Sequence, residues 1–226
     1  MADKRREDDY TFKLLVEGPD DLFVIARLRE LNHLADNIFI KPCGSVEKAI
    51  ELFRILIDKQ AAANRILGIV VDADTNIAGR WQRISQILTE SGKYHVPDIL
   101  PEAGMVLLPC DKEDPKIGVW MMPDNQLNGM LEDFLAMLAV NDQELLDEVD
   151  TTLTTLENKE LNKYKSVHKA KARIHTFLAW QEEPGVSMGN AIAKSYLRAD
   201  SEQAVLFVDW LRRLLVHKNK DICYFV

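Results

Sequence analysis

The sequence predicts an α/β protein with a mainly parallel central sheet flanked by helices and a helical extension at its carboxy-terminal end. Three observations carry this prediction. From "TFKLLVEG" to about Ala139, short apolar runs alternate with longer segments of helical period. Within that stretch "RILGIVV" is apolar at every position from Ile66 to Val71 except Gly68, as a strand covered on both faces requires. From about Asp142 the pattern is almost wholly helical. Residues 1–140 are therefore expected to form the α/β domain and residues 141–226 a helical extension packed on it.

Each element has its own signal. The first strand is predicted over Phe12 to Val16. In "DDLFVIARLRELNHL", Leu22, Ile25, Leu28 and Leu31 recur every three residues and define one apolar stripe, while Asp20 and Asp21 suit the first turn, where carboxylates offset the helix dipole. "IFIKPCG" is a second strand, and "SVEKAIELFRILIDK" a helix with Ser45 at its N-cap. After the third strand, "GRWQRISQILTES" is again helical. "GMVLLP" and "IGVWMMP", separated by the charged turn "CDKEDPK", are expected to form an antiparallel hairpin or a strand with a β-return. "GMLEDFLAMLA" places Met130, Leu131, Phe134, Leu135 and Leu138 on an apolar face, with Glu132 and Asp133 near its start. "KSVHKAKARIHTFLAWQ" and "SEQAVLFVDWLRRLLV" supply helices of the extension, and Trp81, Trp120, Trp180 and Trp210 are expected in the core.

Composition limits the functional classes. Of 226 residues 47% are hydrophobic, enough to bury a sizeable core. Lys and Arg total 28 against 36 Asp and Glu, a net charge of -8, so no overall positive field attracts nucleic acid and any such contact must be local or metal-mediated. Cys43, Cys110 and Cys223 are odd in number and scattered, which argues for a reducing compartment rather than a disulfide framework or zinc knuckle. His33, His95, His168, His175 and His217 lack metal-ligand spacing. The charged start "MADKRREDDY" and the lack of any run of about 18 apolar residues lead us to expect neither signal peptide nor membrane span, hence a cytoplasmic protein.

The chemistry gathers at predicted strand ends, where ligands of parallel sheets usually sit. Glu17 follows "LLV", Asp20 and Asp21 open the next helix, and Asp72 and Asp74 follow "GIVV". Two residues apart in an extended segment, Asp72 and Asp74 are expected to point the same way. Taken singly, "VEGPDD" and "DAD" are ordinary turn and cap chemistry; their joint occurrence after the first and third strands of one βαβαβ unit favours a shared acidic site. Carboxylates within about 4–6 Å raise one another's pKa, a penalty that a divalent cation removes, and hard oxygen ligands favour Mg²⁺ or Mn²⁺.

At these residues the chain resembles the Toprim domain found in topoisomerases, primases, ribosomal-RNA maturases and OLD-family nucleases. The motifs are a Glu-Gly after the first strand, here "LLVEGPDD", and an Asp-x-Asp after the third, here "GIVVDADTN". The resemblance covers about Phe12 to Ala139 and is nearest to Toprim-only bacterial proteins and the Toprim half of OLD nucleases. It implies a Rossmann-like sheet, Mg²⁺ (or Mn²⁺) held by Asp72 and Asp74, Glu17 as ligand or general acid/base, and Asp21 and Glu132 completing a two-ion site for in-line phosphoryl displacement. Asp124 in "WMMPDNQLNG" is a further candidate ligand, set against ordinary Pro-Asp-Asn turn chemistry.

Lys163, Lys165, His168, Lys169, Lys171 and Arg173 form the one concentrated basic stretch. It reads as a solvated helix face or as a phosphate contact, with Lys169 or Lys171, not both, neutralising transition-state charge as the OLD resemblance implies. The ATPase domain of OLD nucleases and the strand-gating domains of topoisomerases have no counterpart here, and no Walker A pattern occurs. The expectation is a Mg²⁺-dependent phosphodiesterase acting on DNA or RNA, in defence or repair. The alternatives are a non-enzymatic Toprim-scaffold module serving a separate ATPase partner, and a nucleotidyl transferase sharing the same site.

Overall fold

The computed structural model describes residues 10–58 and 65–216. The charged amino-terminal segment, His217, Cys223 and the last ten residues of the extension lie outside the described residues.

The elements follow in the order β1 (Phe12–Val16), α1 (Pro19–Leu31), β2 (Ile38–Pro42), α2 (Val46–Asp58), β3 (Ile66–Asp72), α3 (Ile77–Glu90), β4 (Met105–Leu107), β5 (Lys116–Met122), α4 (Leu131–Met137), α5 (Gln143–Asn158), α6 (Lys169–Ala179), α7 (Met188–Ala193) and α8 (Glu202–Leu215). The strands form one five-stranded sheet in the order β2-β1-β3-β5-β4. β1 pairs parallel with β2 and β3, β3 pairs parallel with β5, and β4 closes one edge antiparallel to β5. The result is a Rossmann-like α/β sheet, with the short strands "MVL" and "KIGVWMM" paired as their apolar patterns predict.

Parallel strands joined by helices need both faces covered. Side chains alternate along each strand, and the alternation sorts the core into two layers. Leu15, Leu67, Ile69, Val71, Ile117, Val119 and Met121 pack with α2 and α3. Leu14, Val16, Val70, Trp120 and Met122 pack on the opposite side, in one cluster with buried residues of α1 and α4 to α8. The helices after residue 140 thus build the second face of the sheet itself.

The clearest expression of this is α8. Gly68 of β3 and Gly118 of β5 are direct cross-strand neighbours, and Leu214 lies over both. A Cβ on Gly118 would stand 2.4 Å from Leu214 Cδ2, and one on Gly68 would stand 2.6 Å from Leu14 Cδ1 and 3.2 Å from Leu214 Cδ2. The absence of side chains at this pair is what lets the helix descend onto the sheet. Polar contacts fix its two sides: the Trp210 indole N–H donates to the Met105 carbonyl at 3.0 Å, and Lys116 Nζ donates to the carbonyls of Arg213 and Val216 at 2.6 and 2.8 Å, satisfying the exposed carbonyls of the helix end.

Helix starts follow local chemistry. Ser45 Oγ accepts from the Lys48 N–H at 3.3 Å, as predicted for the start of α2, and Asn76 Oδ1 accepts from the Gly79 N–H at 2.9 Å at the start of α3. Three expectations need correction. The apolar face of α1 is Val24, Ile25 and Leu28; Leu22 is half-buried and Leu31 is 43% exposed, because the helix turns a 3.6-residue period and a three-residue stripe drifts off its buried face. Met130 precedes α4 as its N-cap and is only half-buried. Trp180 lies just beyond the end of α6, exposed, while the other three tryptophans are buried. Among the described residues, Cys43 and Cys110 are not joined in a disulfide. Among the described residues no helix is long and apolar enough to cross a membrane.

Because Leu214 is fully buried on the glycine pair, Leu214→Ala is expected to destabilise the protein by about 2–5 kcal/mol through the cavity it leaves. Gly118→Val should cost about 1–3 kcal/mol by overpacking the same contact. Midpoints of urea unfolding for the two variants measure both effects.

Candidate functional site

Three loops meet at the carboxyl edge of the sheet: the turn after β1, the turn after β3 and the longer connection after β5. Hydrogen bonds tie the turn after β3 to the connection after β5, and the turn after β1 to the turn after β2. The Asp74 N–H donates to the Gly129 carbonyl at 2.8 Å, the Ile77 N–H donates to Asn128 Oδ1 at 2.9 Å, and the Gly44 N–H donates to the Glu17 carbonyl at 2.7 Å. This scaffold sets the positions of the acidic side chains.

Glu17 stands one residue past β1 and reaches across to β3, where its Oε1 accepts from the Asp72 N–H at 2.8 Å. Asp72 is the last residue of β3, and its Oδ1 accepts from the Leu131 N–H at 3.0 Å at the start of α4. Asp21, only 7% exposed, turns its Oδ2 back to the Gly18 N–H at 2.9 Å, the reverse half of a capping box. Glu132, in the first turn of α4, is 5% exposed. Four carboxyl groups from β1, α1, β3 and α4 are thereby gathered in one electrostatic neighbourhood.

Their proton affinities register the crowding. Burial pushes Asp72 up to about 9, reinforced by the charges of Glu17, Asp21 and Glu132 and opposed by the Leu131 N–H. Burial raises Glu17 to about 7, with Asp21 and Asp74 adding to the rise and the Asp72 N–H and Arg80 opposing it. Burial likewise raises Asp21 to about 6, with Glu132 and Asp20 contributing. These are the signs expected of like charges confined in a poorly solvated place. Among the described residues no three of these groups already converge on one point as a ready-made ion cage. Each is instead held by its own protein donor.

Of two further candidates, Asp74 departs from expectation and Asp124 follows the turn alternative set against its ligand role. Asp74 does not continue the strand: its φ of 52° is left-handed, so the alternation that would aim it with Asp72 ends at the turn. Its carboxylate pairs with Arg80. Asp124, half-buried, caps its own turn, with Oδ1 accepting from the N–H groups of Gln126 and Leu127 at 3.0 and 2.8 Å, so local turn chemistry accounts for it. The neighbouring Asp133 is also a cap, its Oδ2 accepting from the Met130 N–H at 2.9 Å.

Of the basic stretch, the fold brings Lys171 to the site. Its Nζ lies 3.3 Å from Glu132 Oε1 and half of the side chain stays exposed. Lys169 points to α5 and pairs with Glu157 at 2.6 Å, outside the cluster. Arg173 makes a two-pronged contact with Asp150, both bonds 2.7 Å. The residue that sequence reasoning missed is Arg80, whose Nε donates to the Asp72 carbonyl at 3.1 Å while its terminal nitrogen holds Asp74. The available signal was a cation in the first turn of the helix that directly follows an Asp-x-Asp.

Fold and site together define an α/β protein with a partly buried carboxylate cluster, flanked by a lysine and an arginine, at the carboxyl edge of a mainly parallel sheet. The chain belongs to the family described as "Protein of unknown function (DUF3226)", whose model matches residues 11–216. No curated protein and no solved structure matches it.

The raised pKa values predict how stability depends on pH in the absence of divalent cations. Folded Asp21, Glu17 and Asp72, at about 6, 7 and 9, bind their protons more tightly than the free values of 3.8 and 4.5. Their contribution to stability is therefore present below about pH 4 and is lost as pH rises through the folded values. Asp72→Asn, which keeps the acceptor for the Leu131 N–H, is expected to raise Tm at pH 8 in chelator and flatten the pH dependence. For a chain of this size each kcal/mol corresponds to about 2–4 °C, readable by calorimetry.

Proposed function

We propose that this protein is a Mg²⁺- or Mn²⁺-dependent phosphodiesterase of Toprim type acting on DNA or RNA. The observation that carries the proposal is the gathering of buried Asp21 and Glu132 with half-buried Glu17 and Asp72 at the carboxyl edge of the sheet, at raised pKa for Glu17, Asp21 and Asp72. Carboxylates are costly to bury unneutralised, and their persistence at a ligand-accepting edge suits a cation site. The donor set fits a hard divalent ion, with Glu17 and Asp72 as the central ligands and Asp21, Asp74 and Glu132 beside them. Such an ion supplies charge neutralisation at a phosphate oxygen and a more acidic bound water.

The side chains of the site then have distinct tasks. Glu17 Oε1 accepts from the Asp72 N–H, which leaves Oε2 either to hold the ion or to accept a proton from an attacking water. Lys171, half exposed and within 3.3 Å of Glu132, is placed to neutralise charge on a phosphate that enters from solvent. The overall charge of -8 assigns substrate attraction to such local contacts.

A second reading, a non-catalytic Toprim scaffold for a separate ATPase partner, draws on one observation. Every carboxylate of the cluster already has an internal donor: a backbone N–H for Glu17, Asp21 and Asp72, Arg80 for Asp74 and Lys171 for Glu132.

The assay is nicking of supercoiled plasmid, with single-stranded DNA and RNA in parallel, in Mg²⁺ or Mn²⁺. Asp72→Ala should reduce the rate by at least about 100-fold, and Lys171→Ala by about 100- to 1000-fold. Lys169→Ala should leave it within about threefold, because its partner Glu157 lies outside the site. Equal rates for wild type and Asp72→Ala would exclude this site from the chemistry, and no cleavage of any substrate would favour the scaffold reading.

A further inference from the structure

Arg80 is the one site residue whose position has no explanation in the tasks assigned above. It stands in the first turn of α3, and its side chain is only 14% exposed while that of its partner Asp74 is 46% exposed. One guanidinium nitrogen holds the Asp74 carboxylate and Nε donates to the Asp72 carbonyl, so a single rigid fork grips both aspartates of "DAD". Asp74 is presented to it by a left-handed backbone conformation, itself fastened by the N–H bond to Gly129. Arg80 also acts on the interior of the cluster, where its charge partly offsets the rise at Glu17.

We infer that Arg80 is a positioning residue that serves as the internal cation of the ion-free site and competes with a divalent cation for Asp74. The inference rests on the cation-site reading given under Proposed function and adds to it a built-in competitor. The cluster divides into carboxylates gripped by a protein cation, Asp74 by Arg80 and Glu132 by Lys171, and carboxylates held only by backbone N–H groups, Glu17, Asp21 and Asp72. An ion bound by Glu17 and Asp72 brings two positive charges beside the guanidinium. Repulsion then weakens the Arg80 to Asp74 pair, and Asp74 is released toward the ion while the arginine fork becomes available to an incoming phosphate. Arg80 therefore opposes the cation and favours the anionic substrate. A merely structural ion pair would do neither.

The test is calorimetric titration of Mn²⁺ alone into wild type, Arg80→Gln and Arg80→Lys, with Asp72→Asn as the control that loses binding. Arg80→Gln removes the charge and frees Asp74, so its Mn²⁺ Kd should fall by about 3- to 30-fold, the scale of one charge at a partly exposed site. Arg80→Lys, which keeps the charge but cannot span both aspartates, should lie between Arg80→Gln and wild type, and it supplies the measurement if Arg80→Gln fails to fold. With Asp74→Asn already in place, the gain from Arg80→Gln should shrink, since the contested ligand is gone. Binding to wild type with equal or weaker binding to both Arg80 variants would overturn the role of Arg80 and leave the cation site standing. No Mn²⁺ binding by wild type or either variant would remove the cation site and this role with it.

Discussion

The hydrogen bond from the Asp72 N–H to Glu17 Oε1 is the contact on which the acidic edge of the sheet depends. It joins the ends of β1 and β3, two strands already paired in parallel register, and it requires a carboxylate to stay where solvent is largely excluded. Everything else at that edge accommodates this demand. Asp72 turns its own side chain to the start of α4, Gly18 offers its N–H to Asp21, and Arg80 and Lys171 take up Asp74 and Glu132. The charge density is thereby spread over three loops and two helix starts.

Such an edge is tolerable because the sheet beneath it is rigid and dry. Residues of β1, β3 and β5 are buried on both faces, one against α2 and α3, the other against α1, α4 and the helices that follow residue 140. The helix α8 is part of that second layer: Phe207, Trp210 and Leu214 are fully buried, and Trp120 meets Phe207 edge to face at 5.2 Å. The same layer carries α6, which delivers Lys171, so the carboxy-terminal helices contribute both to the core and to the charge balance of the site. Packing and electrostatics are coupled here through one set of elements.

Much of this was legible in the residues. β1, β3 and β5 follow from consecutive apolar positions, the antiparallel β4 from a turn-rich charged segment between two such runs, and Ser45 from the preference of hydroxyls for helix N-caps. Glu17, Asp21 and Asp72 were recognisable because carboxylates directly after strands of a parallel sheet are confined to one edge. The failures have local causes. Asp74 was projected along an extended chain, yet its backbone turns left-handed. Asp124 is no failure: its Oδ1 caps the turn that Pro-Asp-Asn suggested. Leu31 fell on a three-residue stripe that a 3.6-residue helix does not keep buried.

The sequence by itself determined the alternation of strands and helices, the two-sided burial of the strands and the placement of acidic residues at their ends, because periodicity, propensity and turn chemistry are local properties. Only the tertiary structure decided which charges meet. Lys169 and Lys171 are two residues apart and equally basic, but helical geometry sends one to Glu157 and the other to Glu132. Arg80 and Glu132 joined the cluster only when α3 and α4 were docked against the sheet. Proximity between residues distant in the chain is set by packing, and it is packing that turned scattered carboxylates into one partly buried group with a cation on either side.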